Sequence, residues 1–376
     1  MQSWADVATW ARSGAMALTG RPGGPPVLPP GNAASQVRSW LAKIGGDIPG
    51  ILGERAAYAG LHRNGPWNCG RTMRILPALG GHVALSLARP DDFALIPALI
   101  EGEPPRDIWD GITAWASRRS VDEIDERLTL LGLPGGRVRT QAPARPGVVS
   151  TLLGTRRTHP HPTVVDLTAL WAGPLCAHLL GKGGASVIKV ESMSRPDGAR
   201  QGPPDFYALL HNGHRSETLD FTQPRDIAVL RTLLENADLV LESSRPRGLQ
   251  QLGIDAHEVV AQGTSWLSIT AAGREHNAVG FGDDVAARAG LVVADGADLL
   301  PVGDAIADPL VGVRAAYEAS AALADDRAYL IDVSMIDVVA ETLGPRAEHQ
   351  VVRSNGSWWV EHEDGRTRVW DPQRRP

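Results

Sequence analysis

The chain has 376 residues and a formal net charge of -6. That length accommodates two domains with a sizeable core, and the acidic balance argues against a nucleic-acid groove or an anionic membrane surface as partner. Two cysteines, Cys69 and Cys176, lie far apart without metal-ligand spacing. Neither a disulfide framework nor a bound metal is expected, and a reducing cytoplasm fits best. The opening residues lack the basic flank and apolar core of a signal peptide. No uninterrupted apolar run is long enough to span a bilayer.

In chain order, a first helix gives way to a Gly/Pro-rich loop at 20–31 (GRPGGPPVLPPG). Residues 33–62 read as helical, and 80–87 alternate like a strand. Asp107 opens a helix carrying Ile108, Ile112 and Trp115 on one side. Ser120-x-x-Glu123 is a capping box, with Val121, Ile124, Leu128 and Leu131 at helical spacing behind it. Gly135-Gly136 ends that unit, and residues 141–162 read as a linker.

The second half changes character. Strands are predicted at 164–167, 186–190, 218–221, 238–242 and 266–270, with helices at 172–180 and 227–236 between them. An Ala-rich helix at 306–323 and a strand at 329–333 follow. This alternation predicts an α/β fold: a doubly wound parallel sheet plus a smaller mixed α/β domain. The expected division is 1–150, 151–345 and a polar tail, 346–376, with a hairpin around Asp364-Gly365. Asp6-Val7-Ala8, followed by Ala11-Arg12 and Gly14, is echoed by Asp284-Val285-Ala286, followed by Ala287-Arg288 and Gly290.

Three stretches carry a family resemblance. VVDLTALWAGPLCAHLLGKGGASVIKVES (164–192), LHNGHRSETLDFTQPRD (210–226) and LVLESSRPRGLQQLGI (239–254) resemble, in order, the CoA-binding half of family III CoA transferases. DAIADPLVGVRAAYEASAAL (304–323) and IDVSMIDV (331–338) continue the likeness. Residues 4–26 and 70–140 resemble later parts of the same family. The chain therefore reads as permuted, or as the middle of a tandem duplication. The resemblance implies a Rossmann-like CoA-binding domain, an acyl-CoA and a carboxylic acid as substrates, and a homodimer. It places Arg245, Leu210, Arg215, Gly173 and Pro174 at the CoA site, with Lys189 and His214 as weaker phosphate candidates.

For catalysis it implies an aspartate that attacks the acyl-CoA carbonyl to form a mixed anhydride. The family's Asp-Gly-Pro-Pro loop stands here as Gly23-Gly24-Pro25-Pro26, without the acid. Asp295-Gly296 is the second copy and makes Asp295 the first candidate nucleophile, with Asp298 its neighbour; a simple turn is the alternative. Asp308 resembles an aspartate that opens a long helix in the family, and a helix cap is the plain reading. In the related α-methylacyl-CoA racemases that aspartate partners a histidine, and Asp283 stands in the histidine's place beside Asp284. Adjacent carboxylates raise one another's pKa and suit a general base, whereas a solvated pair at a helix start is the bland account. CoA transfer, a racemase-like reaction and a CoA-binding protein without catalysis all remain open at this point.

Overall fold

A computed structural model describes residues 2–103, 106–141, 145–156, 158–244 and 246–375. The segment read as one helical stretch is broken. Helix α1 (Trp4–Arg12) is followed by α2 (Ala33–Lys43) and α3 (Glu54–Ala59), because Gly45, Gly46 and Gly50 interrupt the run. Next comes a small unit: hairpin β1 (Met73–Ala78) and β2 (Gly81–Ser86), helices α4 (Pro90–Ala94), α5 (Ile96–Ile100), α6 (Ile108–Ala116) and α7 (Val121–Leu131), then β3 (Gly135–Arg137). The glycine pair expected to end this unit instead forms β3, which adds to β2 as a third antiparallel strand. A side chain at Gly135 would collide with the Ala84 carbonyl on β2. The Ser120–Glu123 capping box is present in full, and α7 buries Val121, Ile124 and Leu128 in this unit's own core.

The expected linker is corrected. Eight of its residues form a strand, β4 (Val148–Thr155), paired antiparallel with a distant partner; residues 142–144 and 157 of that stretch lie outside the described residues. Strands and helices then alternate: β5 (Thr163–Asp166), α8 (Ala172–Lys182), β6 (Ser186–Ser192), α9 (Pro204–His211), β7 (Arg215–Leu219), α10 (Pro224–Glu235), β8 (Leu239–Glu242), α11 (Pro246–Gln250), α12 (Ala256–Ala261) and β9 (Ser265–Thr270). After α13 (Gly282–Ala289) come the hairpin β10 (Val292–Asp295) and β11 (Asp298–Pro301), the long α14 (Ala307–Ala324), β12 (Arg327–Ser334) and α15 (Met335–Ala340).

The seven-stranded sheet runs β4-β12-β9-β8-β5-β6-β7. Every pairing is parallel except that of β4 with β12, so the doubly wound sheet carries one antiparallel edge. The chain winds outward from β5 through β6 to β7, then returns to β8 and winds the other way. The reversal lies between β5 and β8, and the crevice beyond their carboxyl ends is where open α/β sheets bind ligands. Helix α8 starts there, and Gly173 lets it lie directly on Thr168, whose side chain any Cβ would meet.

The polar tail is also more ordered than expected. β13 (Gln350–Ser354), β14 (Ser357–His362) and β15 (Gly365–Arg368) form an antiparallel sheet on which α1 packs. Apolar residues of α1 and α2, such as Val7, Trp10 and Leu41, share one core with Leu175 of α8 and Leu310 of α14. The beginning of the chain is thus built into the second half rather than into a separate 1–150 unit. The sequence echo has a counterpart in packing. α1 lies on the sheet β13–β15 and against α2, while α13 lies on the sheet β1–β3 and against α14.

Candidate functional site

Four carboxylates converge where α13 and α14 begin. Phe281 is the N-cap of α13, which places Asp283 and Asp284 in its first turn. Neither is solvated: Asp283 is 9% exposed and Asp284 0%. Asp304 sits in the turn before α14 and is 0% exposed. Asp308 lies in the first turn of α14, but Ile306 is the N-cap and has no side-chain cap bond, so Asp308 does not serve as the cap.

Three of the four are tied down. Asp283 accepts from Asn68 Nδ2 at 2.7 Å and from the Ala305 N–H at 2.8 Å. Asp304 is forked by Arg55, with Nε at 3.0 Å and Nη2 at 2.5 Å. Asp284 Oδ1 accepts from the Phe281 N–H at 2.8 Å and from Ser86 Oγ at 3.2 Å, while its Oδ2 has no hydrogen-bond partner among the described residues and faces Arg288 at 4.0 Å. Asp308 is different. Its carboxylate accepts no hydrogen bond from a described residue, it keeps partial contact with solvent, and its Oδ2 rests on Gly282, where a Cβ would overlap it.

Burial dominates the electrostatics, because a charged carboxylate loses more hydration than a neutral one. It pushes Asp283 up to about 6, with Asp304 adding to the rise and Arg55 opposing it. Asp284 is pushed up to about 7 by burial against the pull of Arg288. Asp308 is also pushed up to about 7, again by burial first, with Arg55 opposing and the other three aspartates reinforcing. Close by, burial raises the Cys69 thiol well above its usual range, so it is an inert donor to the Gly303 carbonyl rather than a nucleophile.

The aspartates favoured from sequence sit elsewhere. Asp295 and Asp298 flank the tip of the β10–β11 hairpin, where Gly296 takes a φ of +63°, so the turn alternative describes this motif. Both are about half exposed and grip Arg21 of the Gly/Pro-rich loop, each at 2.5 Å. The two copies of the Asp-Gly-Pro-Pro-like loop therefore meet in an ion-paired latch, separate from the buried cluster.

At the sheet's switch point the placements are mixed. Arg245, three residues beyond β8 in sequence, lies outside the described residues. Gly173 and Pro174 form the buried first turn of α8. Leu210, expected at the CoA site, has its side chain buried in the main core. Arg215 is exposed and reaches Glu217 at 3.7 Å. Lys189 is 1% exposed, bonded to the Thr168 carbonyl and to Asp197 at 3.1 Å, with Asp166 at 3.7 Å. Its ammonium is thus engaged by internal partners, as a structural cation would be. His214 is partly buried, and burial lowers its pKa. His159 and His161 line a polar cavity at the opposite, amino end of the sheet.

Sequence reasoning missed Arg55, Asn68 and Ser86. They lie some two hundred residues or more from the aspartates they hold, and no local spacing marks them. Arg55 also links the cluster to the switch point, its guanidinium carbon lying 5.4 Å from the centre of the Trp171 ring, just before α8.

Residues 161–368, more than half of the chain, match the profile of CoA-transferase family III. A succinyl-CoA–D-citramalate CoA-transferase of Chloroflexus aurantiacus is 31% identical over 175 residues, covering 43% of this chain and 44% of that protein. A succinate–glutarate CoA-transferase of Agrobacterium fabrum is 28% identical over 205 residues, covering 48% and 51% respectively. The α-methylacyl-CoA racemase of Homo sapiens is 41% identical over 89 residues, 24% of this chain and 21% of that protein. The chain spans about half the length of the two transferases it matches. With a sheet that reverses at a ligand crevice and a carboxylate cluster beside it, the chain belongs to CoA-transferase family III.

Proposed function

We propose that the protein transfers CoA from an acyl-CoA to a carboxylic acid, with Asp308 rather than Asp295 as the nucleophile. The single observation that supports this most is the contrast within the cluster. Asp283, Asp284 and Asp304 have their oxygens bonded or shut in, whereas the Asp308 carboxylate has no hydrogen-bond partner among the described residues and the residue is only partly buried. An ion-paired carboxylate such as Asp295 would have to break from Arg21 before attack.

In the proposed reaction a carboxylate oxygen of Asp308 attacks the thioester carbonyl carbon. The C–S bond breaks, leaving an aspartyl-acyl anhydride and CoA thiolate. The thiolate attacks the aspartyl carbonyl, releasing the donor acid as its carboxylate, and the acceptor acid repeats the two steps in reverse to regenerate Asp308. Arg245, beyond β8, is proposed to hold the nucleotide, since a guanidinium stacks on adenine or forks to phosphate. The α8 start at Gly173-Pro174 brings the thioester end toward Trp171, Arg55 and the cluster. Burial around Asp308 makes a weakly hydrated, more reactive carboxylate.

The racemase-like reading keeps some support from the human relative. Against it, Asp283 stands in the place of the second base with both oxygens engaged by Asn68 and Ala305. The test is incubation with succinyl-CoA and a labelled acid, following CoA release, label exchange and α-proton exchange. Acyl transfer abolished by Asp308→Asn supports the proposal. Proton exchange without acyl transfer would establish the racemase reading, and CoA binding with neither would leave a binding protein.

A further inference from the structure

Six groups set the charge around Asp308. Asp283 and Asp284 face it from α13, Asp304 from the turn ahead of its own helix, and Arg55 from the first turn of α3. Arg288 stands behind Asp284, and the Cys69 thiol, on the Asp283 and Asp304 side, stays protonated through burial. Arg55 comes from the half of the chain in which sequence shows least chemistry, yet it is fixed from several sides. Its neighbour Glu54 is clamped by Arg375, with Nη2 at 2.7 Å. The preceding Gly53 packs backbone to backbone on Gly14, with no room for a side chain. Its guanidinium lies beside the Trp171 ring, and Asp304 takes two of its nitrogens. A surface ion pair would not be braced in this way.

We propose that Arg55 is a positioning residue for Asp308, holding Asp304 in a two-point fork so that Asp304 neither turns toward Asp308 nor shares its proton, and leaving Asp308 as the free anion. The inference rests on the reading of Asp308 as the nucleophile. The fork uses Nε and Nη2, so Asp304 is fixed in direction as well as in charge. Without that fork the Asp304 carboxylate, at 0% exposure, is free to turn toward Asp308, and crowded carboxylates disfavour one another's anions. The two halves of the pair also act on Asp308 with opposite sign: Arg55 favours its anion and Asp304 disfavours it, with Arg55 the larger influence.

That opposition supplies a test that a merely structural pair would fail. In the full-length protein, Arg55→Met and Asp304→Asn are compared by infrared titration of the Asp308 carboxyl, assigned by its loss in Asp308→Asn, and by the pH profile of CoA release from succinyl-CoA. Arg55→Met is expected to move the Asp308 midpoint up by about one pH unit, slowing CoA release roughly tenfold on the acid limb. Asp304→Asn is expected to move it down by a similar amount, and Arg55→Lys to restore part of the loss. Shifts in the same direction, or no shift while only the melting temperature falls, would overturn the proposal. If Arg55→Met does not fold, Asp304→Asn alone decides, and an alkaline or absent shift refutes it. Retained CoA release in Asp308→Asn would instead remove the nucleophile assignment, while the infrared midpoints would still report whether the pair governs Asp308.

Discussion

Gly282→Ala is a small change with a large expected effect. Gly282 opens α13 with a backbone that an L-residue adopts without strain, so helix propensity alone would favour alanine by up to about 1 kcal/mol. The new methyl, however, would overlap Asp308 Oδ2 and the Ala305 carbonyl oxygen, and would sit 2.7 Å from the Ala305 carbonyl carbon. Carbon atoms in contact stay about 3.5 Å apart. Two of these neighbours are backbone atoms of the buried turn at Ala305, so that turn must give way and Asp308, on the helix that follows it, is displaced with it by roughly 1 Å. Overpacking of this kind costs about 1–3 kcal/mol, so a net loss of about 1–2 kcal/mol is expected in urea denaturation. Displacing a reacting group by that distance costs on the order of 100-fold in rate. CoA release from succinyl-CoA under single-turnover conditions measures it. A Gly282→Ala protein that folds and releases CoA within about twofold of the parent rate would refute the placement of Asp308 as the attacking group.

Lys189→Met leaves Asp166 and Asp197 buried without their cation and should cost about 3–5 kcal/mol in guanidinium denaturation, with CoA affinity in the folded fraction unchanged; a selective loss of CoA binding would make Lys189 a ligand after all. Arg245→Ala should weaken CoA binding by calorimetry about tenfold or more, whereas Arg215→Ala, exposed on β7, should leave it nearly unchanged. Asp283, Asp284 and Asp308 all hold protons more tightly folded than unfolded, so the stability they contribute is complete below about pH 4 and lost as pH rises through about 6 to 7. Urea midpoints should fall across that window, and Asp284→Asn should flatten the slope; a parent protein equally stable at both ends would contradict the buried acidic cluster.

How much of this was legible in the sequence depends on the range of the interactions. The capping box Ser120–Glu123 closes within one helical turn and was readable directly. The short apolar runs of β5, β6, β8 and β9 were readable too, because strands buried in a parallel sheet carry no alternation to blur them. β4 was not, since most of its residues face solvent on an edge and its register is set by β12, far along the chain. The site divides in the same way. Asp283, Asp284 and Asp308 stood out beside helix starts. Their environment did not: whether an Asp pair at a helix start is solvated or buried depends on Asn68, Ser86 and Arg55, which only the fold brings near. Asp295 was attractive for its Asp-Gly dipeptide, a signal that a hairpin turn produces equally well.

The most direct measurement is chemical trapping of the acyl-enzyme. The protein is incubated with succinyl-CoA, quenched with hydroxylamine, digested and mapped by mass spectrometry. A hydroxamate on Asp308, absent in Asp308→Asn and unaffected by Asp295→Asn, is the result predicted for a transferase that works from the buried cluster. A hydroxamate on Asp295, or turnover that survives Asp308→Asn, would contradict it.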